Sequence, residues 1–223
     1  MNGREIQVRK PSPGGGAMKY TRLWEIGGLI SGAVLILFGA AALYLGINGY
    51  QTVGNELSNE AIVGGSDMSP AEIQKAASEA GLPDTIDLPT CDVVDKSIDT
   101  GNEARCFAQY MRIHALEASG GLTYAQMGRF QSAANPDDPA GTSDDTAAAK
   151  DDSGQPISNG ARNLWVTETA LATALNVSYM AEQLSIFSIV VGIALVVTGI
   201  GLVILALAVF GRAQPGKEAR AAA

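Results

Sequence analysis

From residue 26 to 55 the chain carries no charged side chain, and from 183 to 211 it carries none again. Within the first stretch, residues 26–47 are almost wholly apolar or small, and within the second, 184–210 is nearly continuous Ile, Leu, Val, Ala and Gly. At about 1.5 Å per residue the first run covers roughly 33 Å, enough for the hydrocarbon core of a bilayer. The chain has 223 residues. A domain of that size can hardly enclose two such helices on every side, so a buried core helix explains neither run well. A cleaved signal peptide fits the first poorly: its apolar run exceeds the usual 7–15 residues, and Gly46-Ile47-Asn48-Gly49-Tyr50 offers no small-x-small cleavage site. Two transmembrane helices, 26–47 and 184–210, are expected.

Charge sets their expected orientation. The 15 Lys and Arg and 23 Asp and Glu are unevenly placed. The basic residues Arg4, Arg9, Lys10, Lys19 and Arg22 lie before the first span, and Arg212, Lys217 and Arg220 after the second, against Glu5, Glu25 and Glu218. The middle of the chain is strongly acidic. Basic flanks stay cytoplasmic, so both tails (1–25 and 211–223) are expected inside and residues 48–183 outside the membrane. Tyr20 and Trp24 at one end of the first span, Tyr44 and Tyr50 at the other, and Tyr179 beside the second suit interfacial anchoring. The acidic middle excludes a nucleic-acid partner, which requires a basic face.

Small residues recur along both spans. Gly32, Gly39 and Gly46 are seven apart, as are Gly192, Gly199 and Ala206, and Gly28 with Gly32 forms a G-x-x-x-G. Such spacing gives a smooth groove that admits a close helix neighbour. It serves a hairpin, a homo-oligomer or a membrane-protein partner equally, and Gly is also common in membrane helices for no such reason.

The region between the spans reads as helical. Ser69-Pro70-Ala71-Glu72 opens a helix expected to run to Ala80, before Gly81 and Pro83. Residues 82–90 read as an extended connection. A second helix fits 102–118, with Phe107, Tyr110, Met111, His114 and Leu116 as its apolar positions, ending at Gly120-Gly121. Thr123 is expected to cap a short helix through Phe130. Residues 133–160 hold six Asp and almost no large apolar group, and are expected to be disordered. Their Asp pairs lack the Gly and terminal Glu of a calcium loop. From residue 161 a single helix is expected to enter the membrane unbroken, with Leu164, Trp165, Leu171, Leu175 and Met180 as its apolar stripe. The fold expected is all-α, a transmembrane hairpin with a mostly helical, partly disordered exported loop region.

Cys91 and Cys106 lie fifteen apart in the exported region. A structural disulfide is expected from the compartment. With no C-x-x-C and one His in the chain, metal and redox readings are weaker. No G-x-S-x-G, phosphate loop, dinucleotide fingerprint or H-E-x-x-H occurs. His114 and Glu117 would share a helix face, more as packing groups than as an acid–base pair. No catalytic residue, cofactor or metal ligand is assigned, and the chain is not expected to be an enzyme.

The run His114-Ala115-Leu116-Glu117-Ala118-Ser119-Gly120-Gly121-Leu122-Thr123-Tyr124-Ala125 resembles a motif of small bacterial two-span membrane proteins, found mainly in high-GC Gram-positive bacteria. In that family the motif leads through a polar segment to N-x-S and a second Gly-rich span. Asn176-Val177-Ser178 and the span from residue 184 look like the same sequel. The resemblance covers roughly 24–60, 103–130 and 170–211; the acidic insert and the Cys pair are departures. Many members are labelled aromatic-ring-opening dioxygenases. Extradiol ring cleavage needs iron on two His and a carboxylate, and this chain has a single His. The resemblance therefore implies a membrane protein without an assigned activity. Its expected role is that of an accessory or scaffolding subunit of a membrane complex; the alternative is an exported ligand or envelope-stress sensor signalling through a partner.

Overall fold

The computed structural model describes the backbone of residues 17–210 and the side chains of 23–208. Among them are four α-helices and no strand: α1 (Ala17–Asn59), α2 (Pro70–Glu79), α3 (Gly101–Ala118) and α4 (Gly160–Leu205), followed by a π-helical turn, Ala206–Phe210. The chain is all-α, with two helices long and apolar enough to cross a membrane. The described residues form two compact units, one from 17–45 with 188–210 and one from 46–187.

Both long helices outrun a bilayer. α1 has 43 residues and α4 has 46. At about 1.5 Å per residue these are roughly 65 and 69 Å, about twice the hydrocarbon thickness. α1 thus continues twelve residues beyond the end expected at 47, and no Gly or Pro signal stops it until the polar run Glu56–Glu60.

In the 46–187 unit the short helices form where the sequence places caps. The Ser69 hydroxyl accepts from the Glu72 N–H at 3.3 Å, and Pro70 opens α2. α2 stops before Gly81, whose φ of +66° suits glycine and turns the chain so that the Leu82 N–H reaches the Ala77 carbonyl. α3 begins at Gly101, one residue earlier than expected, because Thr100 and Glu103 form a reciprocal capping box. Burial pushes the Glu103 carboxyl up, but hydrogen bonds from Thr100 and Asp99 outweigh it and hold it below its ordinary range. The core under these helices contains Ile73, Val93, Ile98, Tyr110, Ile113 and Trp165, all at most 2% exposed.

Three expectations need correction. The helix expected from Thr123 to Phe130 is only a 3-10 turn, Tyr124–Gln126. Phe130 instead pairs its backbone with Thr142 and Ser158. Second, residues 133–160 are not disordered. The Ala133 N–H donates to the Ala147 carbonyl, the Gln131 N–H to the Ile157 carbonyl and the Ala149 N–H to the Gln131 carbonyl, and the Ile157 N–H returns to the Ala149 carbonyl at 2.8 Å. Asp138, Asp144 and Asp151 each fold the chain back by accepting from a backbone N–H two residues on. Composition is a measure of apolar burial and misses this self-satisfaction of the backbone by Asp-x-Thr and Asp-x-Ser turns. Third, the stripe expected on α4 is not its buried face. Trp165 and Leu175 are buried, but Leu164, Leu171 and Met180 are 42%, 50% and 70% exposed. Glu168 and Glu182 occupy inward positions instead, a pattern that counting apolar residues cannot register.

Candidate functional site

The small residues singled out in the two apolar stretches meet. A Cβ added to Gly32 would stand 2.7 Å from the Gly199 carbonyl oxygen, and one added to Gly39 would stand 2.8 Å from that of Gly192. The converse holds: Cβ atoms on Gly199 and Gly192 would strike the carbonyls of Gly32 and Gly39 at 2.7 and 2.8 Å. Gly28 faces the Ala206 methyl at 3.0 Å. Antiparallel helices therefore touch backbone to backbone, twice, one heptad apart. Val203 and Val196 flank the contacts on α4, and Ile36 and Leu43 on α1. In lipid no hydrophobic drive favours helix over hydrocarbon, so such contact relies on dispersion between closely matched surfaces.

Within the 46–187 unit the two helices meet again. Gly46 is buried there, and a Cβ on Gly49 would stand 2.6 Å from the Ser185 hydroxyl. Ser185 lies seven residues before Gly192 and is 8% exposed. It extends the small-residue series of α4 by one step, and counting Gly and Ala alone overlooks it.

The N-terminus of α3 docks on α4 through a glycine and a carboxylate. A Cβ on Gly101 would lie 2.8 Å from the Tyr179 Cα and 3.0 Å from the Glu182 Cβ. The Gly101 N–H donates to Glu182 Oε2 at 2.8 Å, and Glu182 is only 3% exposed. Helix N-terminal N–H groups and the macrodipole favour an anion there. Arg105 lies 4.7 Å from the ring centre of Tyr179, which is half-buried in this contact. At the other end of α3, the Trp165 indole N–H is shared by the Ser119 hydroxyl (3.1 Å) and the Leu122 carbonyl (2.8 Å). Arg112 stacks 4.2 Å over the Trp165 ring and is 3.9 Å from Glu168. Asn159 ties the acidic insert to α4: its amide donates to the Gly128 and Pro139 carbonyls, and its oxygen accepts from the Ala161 and Arg162 N–H groups at the helix start.

Cys91 and Cys106 form the expected disulfide, with Cα atoms 6.1 Å apart. It joins the 82–100 connection to α3. The Tyr110 hydroxyl donates to the Cys91 carbonyl at 2.6 Å, and burial, with the Asp92 charge, raises its pKa.

His114 and Glu117 do come together, with His114 Nδ1 2.8 Å from Glu117 Oε2. His114 Nε2 lies 3.4 Å from Asp67 Oδ2 without the alignment of a hydrogen bond. The cluster ties α3 to the segment before α2. Among the described residues no group of three or more His, Cys, Asp or Glu could hold a metal ion. Beside α3, an open cleft of about 680 Å³ lies between Pro83, Ile86 and Leu88 on one side and Thr169, Thr173 and Asn176 of α4 on the other.

Compared with family models, with curated proteins and with solved structures, the chain matches none in any of the three.

Proposed function

We propose that the chain is a non-enzymatic interaction protein of a bacterial plasma membrane, an accessory or scaffolding subunit of a membrane complex. The observation that carries this reading is the length of α4. The helix has 46 residues, and Val166, Val177 and Met180, ahead of its most apolar part, are 54–70% exposed. An apolar helix face held out in water is an interaction surface in waiting. The closely packed pairs Gly32–Gly199 and Gly39–Gly192 support a preformed hairpin that leaves outer faces for lipid or protein. The resemblance to small two-span membrane proteins points the same way. Basic tails and an acidic middle favour both termini in the cytoplasm and residues 48–183 outside.

A second reading, an exported ligand or envelope-stress sensor, is favoured by the cleft beside α3, where apolar and hydroxyl-bearing walls face each other.

Two measurements test these readings. In intact cells, a single added thiol at Ser143→Cys should react with an impermeant maleimide, and one at Ser12→Cys should not; Cys91 and Cys106 stay silent because they are bonded. Reaction at Ser12→Cys from outside overturns the orientation. Purification in mild detergent should then retain a stoichiometric protein partner; a bound small molecule and no protein favours the sensor.

A further inference from the structure

We propose that the cleft beside α3 binds a free α-amino acid with an apolar side chain, its carboxylate on Arg112 and its ammonium on Glu168. The inference rests on the second reading above only in taking this cleft as a ligand site. It stands whether or not binding is signalled onward.

Two opposite charges lie side by side in the lining of the cleft, and neither is saturated. The Arg112 side chain is half exposed and stacks 4.2 Å over the Trp165 ring. That ring is itself fixed, because its indole N–H is held by Ser119 and Leu122. Among the described residues no acceptor takes a hydrogen bond from the Arg112 guanidinium; Glu168 Oε2, at 3.9 Å, is an ion-pair contact only. Glu168 is 4% exposed, yet Oε2 accepts only from the Thr169 hydroxyl at 3.3 Å, and Oε1 has no donor among the described residues. A carboxylate this buried ordinarily takes several hydrogen bonds. The cleft therefore offers a guanidinium with unspent N–H groups and a carboxylate with an unspent oxygen, a few ångströms apart.

That juxtaposition selects the ligand. A molecule carrying only an anion would meet the Glu168 charge as well as Arg112, and one carrying only a cation would meet Arg112 as well as Glu168. A molecule with a carboxylate and an ammonium on one carbon satisfies both at once. The guanidinium fork matches a carboxylate, and Glu168 Oε1 accepts from the ammonium. The one further charged residue in the lining, Asp87, adds attraction for the ammonium end. The rest of the wall calls for an apolar side chain: Ile86, Leu88, Ile113 and Leu116 line the same cleft. Its volume, about 680 Å³, falls within the range of about 300–1,000 Å³ in which small-molecule sites lie, mostly apolar with a few polar groups that fix orientation.

The test uses the full chain in mild detergent with Trp24→Phe, which leaves Trp165 as the single tryptophan. Titration with L-leucine or L-phenylalanine should change the Trp165 fluorescence saturably, since the ligand engages the guanidinium stacked on that ring. N-acetyl-L-leucine, without the ammonium, and 3-methylbutylamine, without the carboxylate, should each bind at least about tenfold more weakly, having lost one charge-assisted contact. Glycine, the same zwitterion without a side chain, should weaken by a similar factor. Arg112→Gln and Glu168→Gln should each lower the affinity for L-leucine at least about tenfold. Arg105→Gln, which alters the arginine stacked on Tyr179, should leave it unchanged. No saturable response to either amino acid, equal binding of the acetylated or decarboxylated analogue or of glycine, or full affinity in both cleft variants overturns the proposal. The ligand series needs no substitution in the cleft, so it decides the matter even where a variant fails to fold. Saturable L-leucine binding that leaves partner retention unchanged supports the site and counts only against the sensor reading.

Discussion

Between residues 26–45 and 188–208, α1 and α4 carry no charge and approach until glycine backbones touch, with carbonyl oxygens 2.7–2.8 Å from where a Cβ would be. In the 46–187 unit the contacts of α4 are of another kind: a Trp indole bonded to Ser119 and Leu122, a carboxylate on the first N–H of α3, and a disulfide nearby. The difference follows from the solvent each composition suits. Where surroundings are as apolar as the helix, burying a large side chain gains little and shape alone discriminates. In water, burying an aromatic ring contributes several kcal/mol, and the polar atoms that go with it must be bonded.

The comparison breaks first at Trp165. Its ring is 2% exposed, and its indole N–H serves two acceptors. Trp165→Ala leaves a cavity and removes the donor shared by the Ser119 hydroxyl and the Leu122 carbonyl, and should cost about 3–5 kcal/mol. Thermal melting in detergent should show the loss, and limited proteolysis should open the 120–160 segment. Protection of the two apolar stretches should be unchanged.

Gly39→Leu tests the other side of the comparison. A Cβ there already meets the Gly192 carbonyl and the Val196 side chain at 2.8 Å, so a full side chain must push the helices apart. The expected cost is about 1–3 kcal/mol, the usual scale of overpacking. Engineered cysteines flanking the contact should lose their cross-link, while the disulfide-bonded unit keeps its protease resistance. Unaltered cross-linking would show that these glycines are placed by composition rather than by contact.

A smaller effect is expected from acid on the insert alone. Hydrogen bonds from the Thr146 hydroxyl and backbone lower the pKa of Asp144, and those from the Ser153 hydroxyl and the Gln155 N–H lower that of Asp151. A depressed pKa means that the unfolded segment takes up protons first as pH falls. The stabilisation is therefore complete above the ordinary Asp value of 3.8 and is lost as pH drops through the lowered folded values. Hydrogen exchange in 133–160 should accelerate below about pH 4 before that of α3 does. Asp144→Asn should blunt the effect.

How much of this was legible varies with the physics at work. The two long apolar helices, the cap at Ser69 and the Cys91–Cys106 bond follow from local residue types; the seven-residue period marks Gly32, Gly39, Gly192 and Gly199 as small positions but leaves open what they meet. The fixed backbone of 133–160 did not, because six Asp signal solvation by composition while three of them act as turn acceptors. Nor did the inward face of α4. Its ruler is the 3–4 spacing that runs through Glu168 and Glu182, and a buried carboxylate is legible only once its N–H or cation partner is in place. Asn159 carries a local cap signal, Asn before Gly160-Ala161, but its second task of holding two loop carbonyls is tertiary.

His114→Ala gives the smallest expected effect and bears most directly on function. The imidazole is 31% exposed and makes one aligned hydrogen bond, to Glu117 three residues along the same helix. Local bonds of this kind contribute about 0.5–1.5 kcal/mol net. The Asp67 carboxylate at 3.4 Å is more than half exposed, so solvent screens that pairing. Loss of the ring should lower the melting temperature by a few degrees at most and loosen the 60–69 segment. It should leave partner retention intact. A folded His114→Ala protein that loses its partner would place the 114–117 cluster in the interface. One that loses a measurable turnover while keeping its partner would reopen an enzymatic role, with Glu117 and Asp67 as the groups to mutate next.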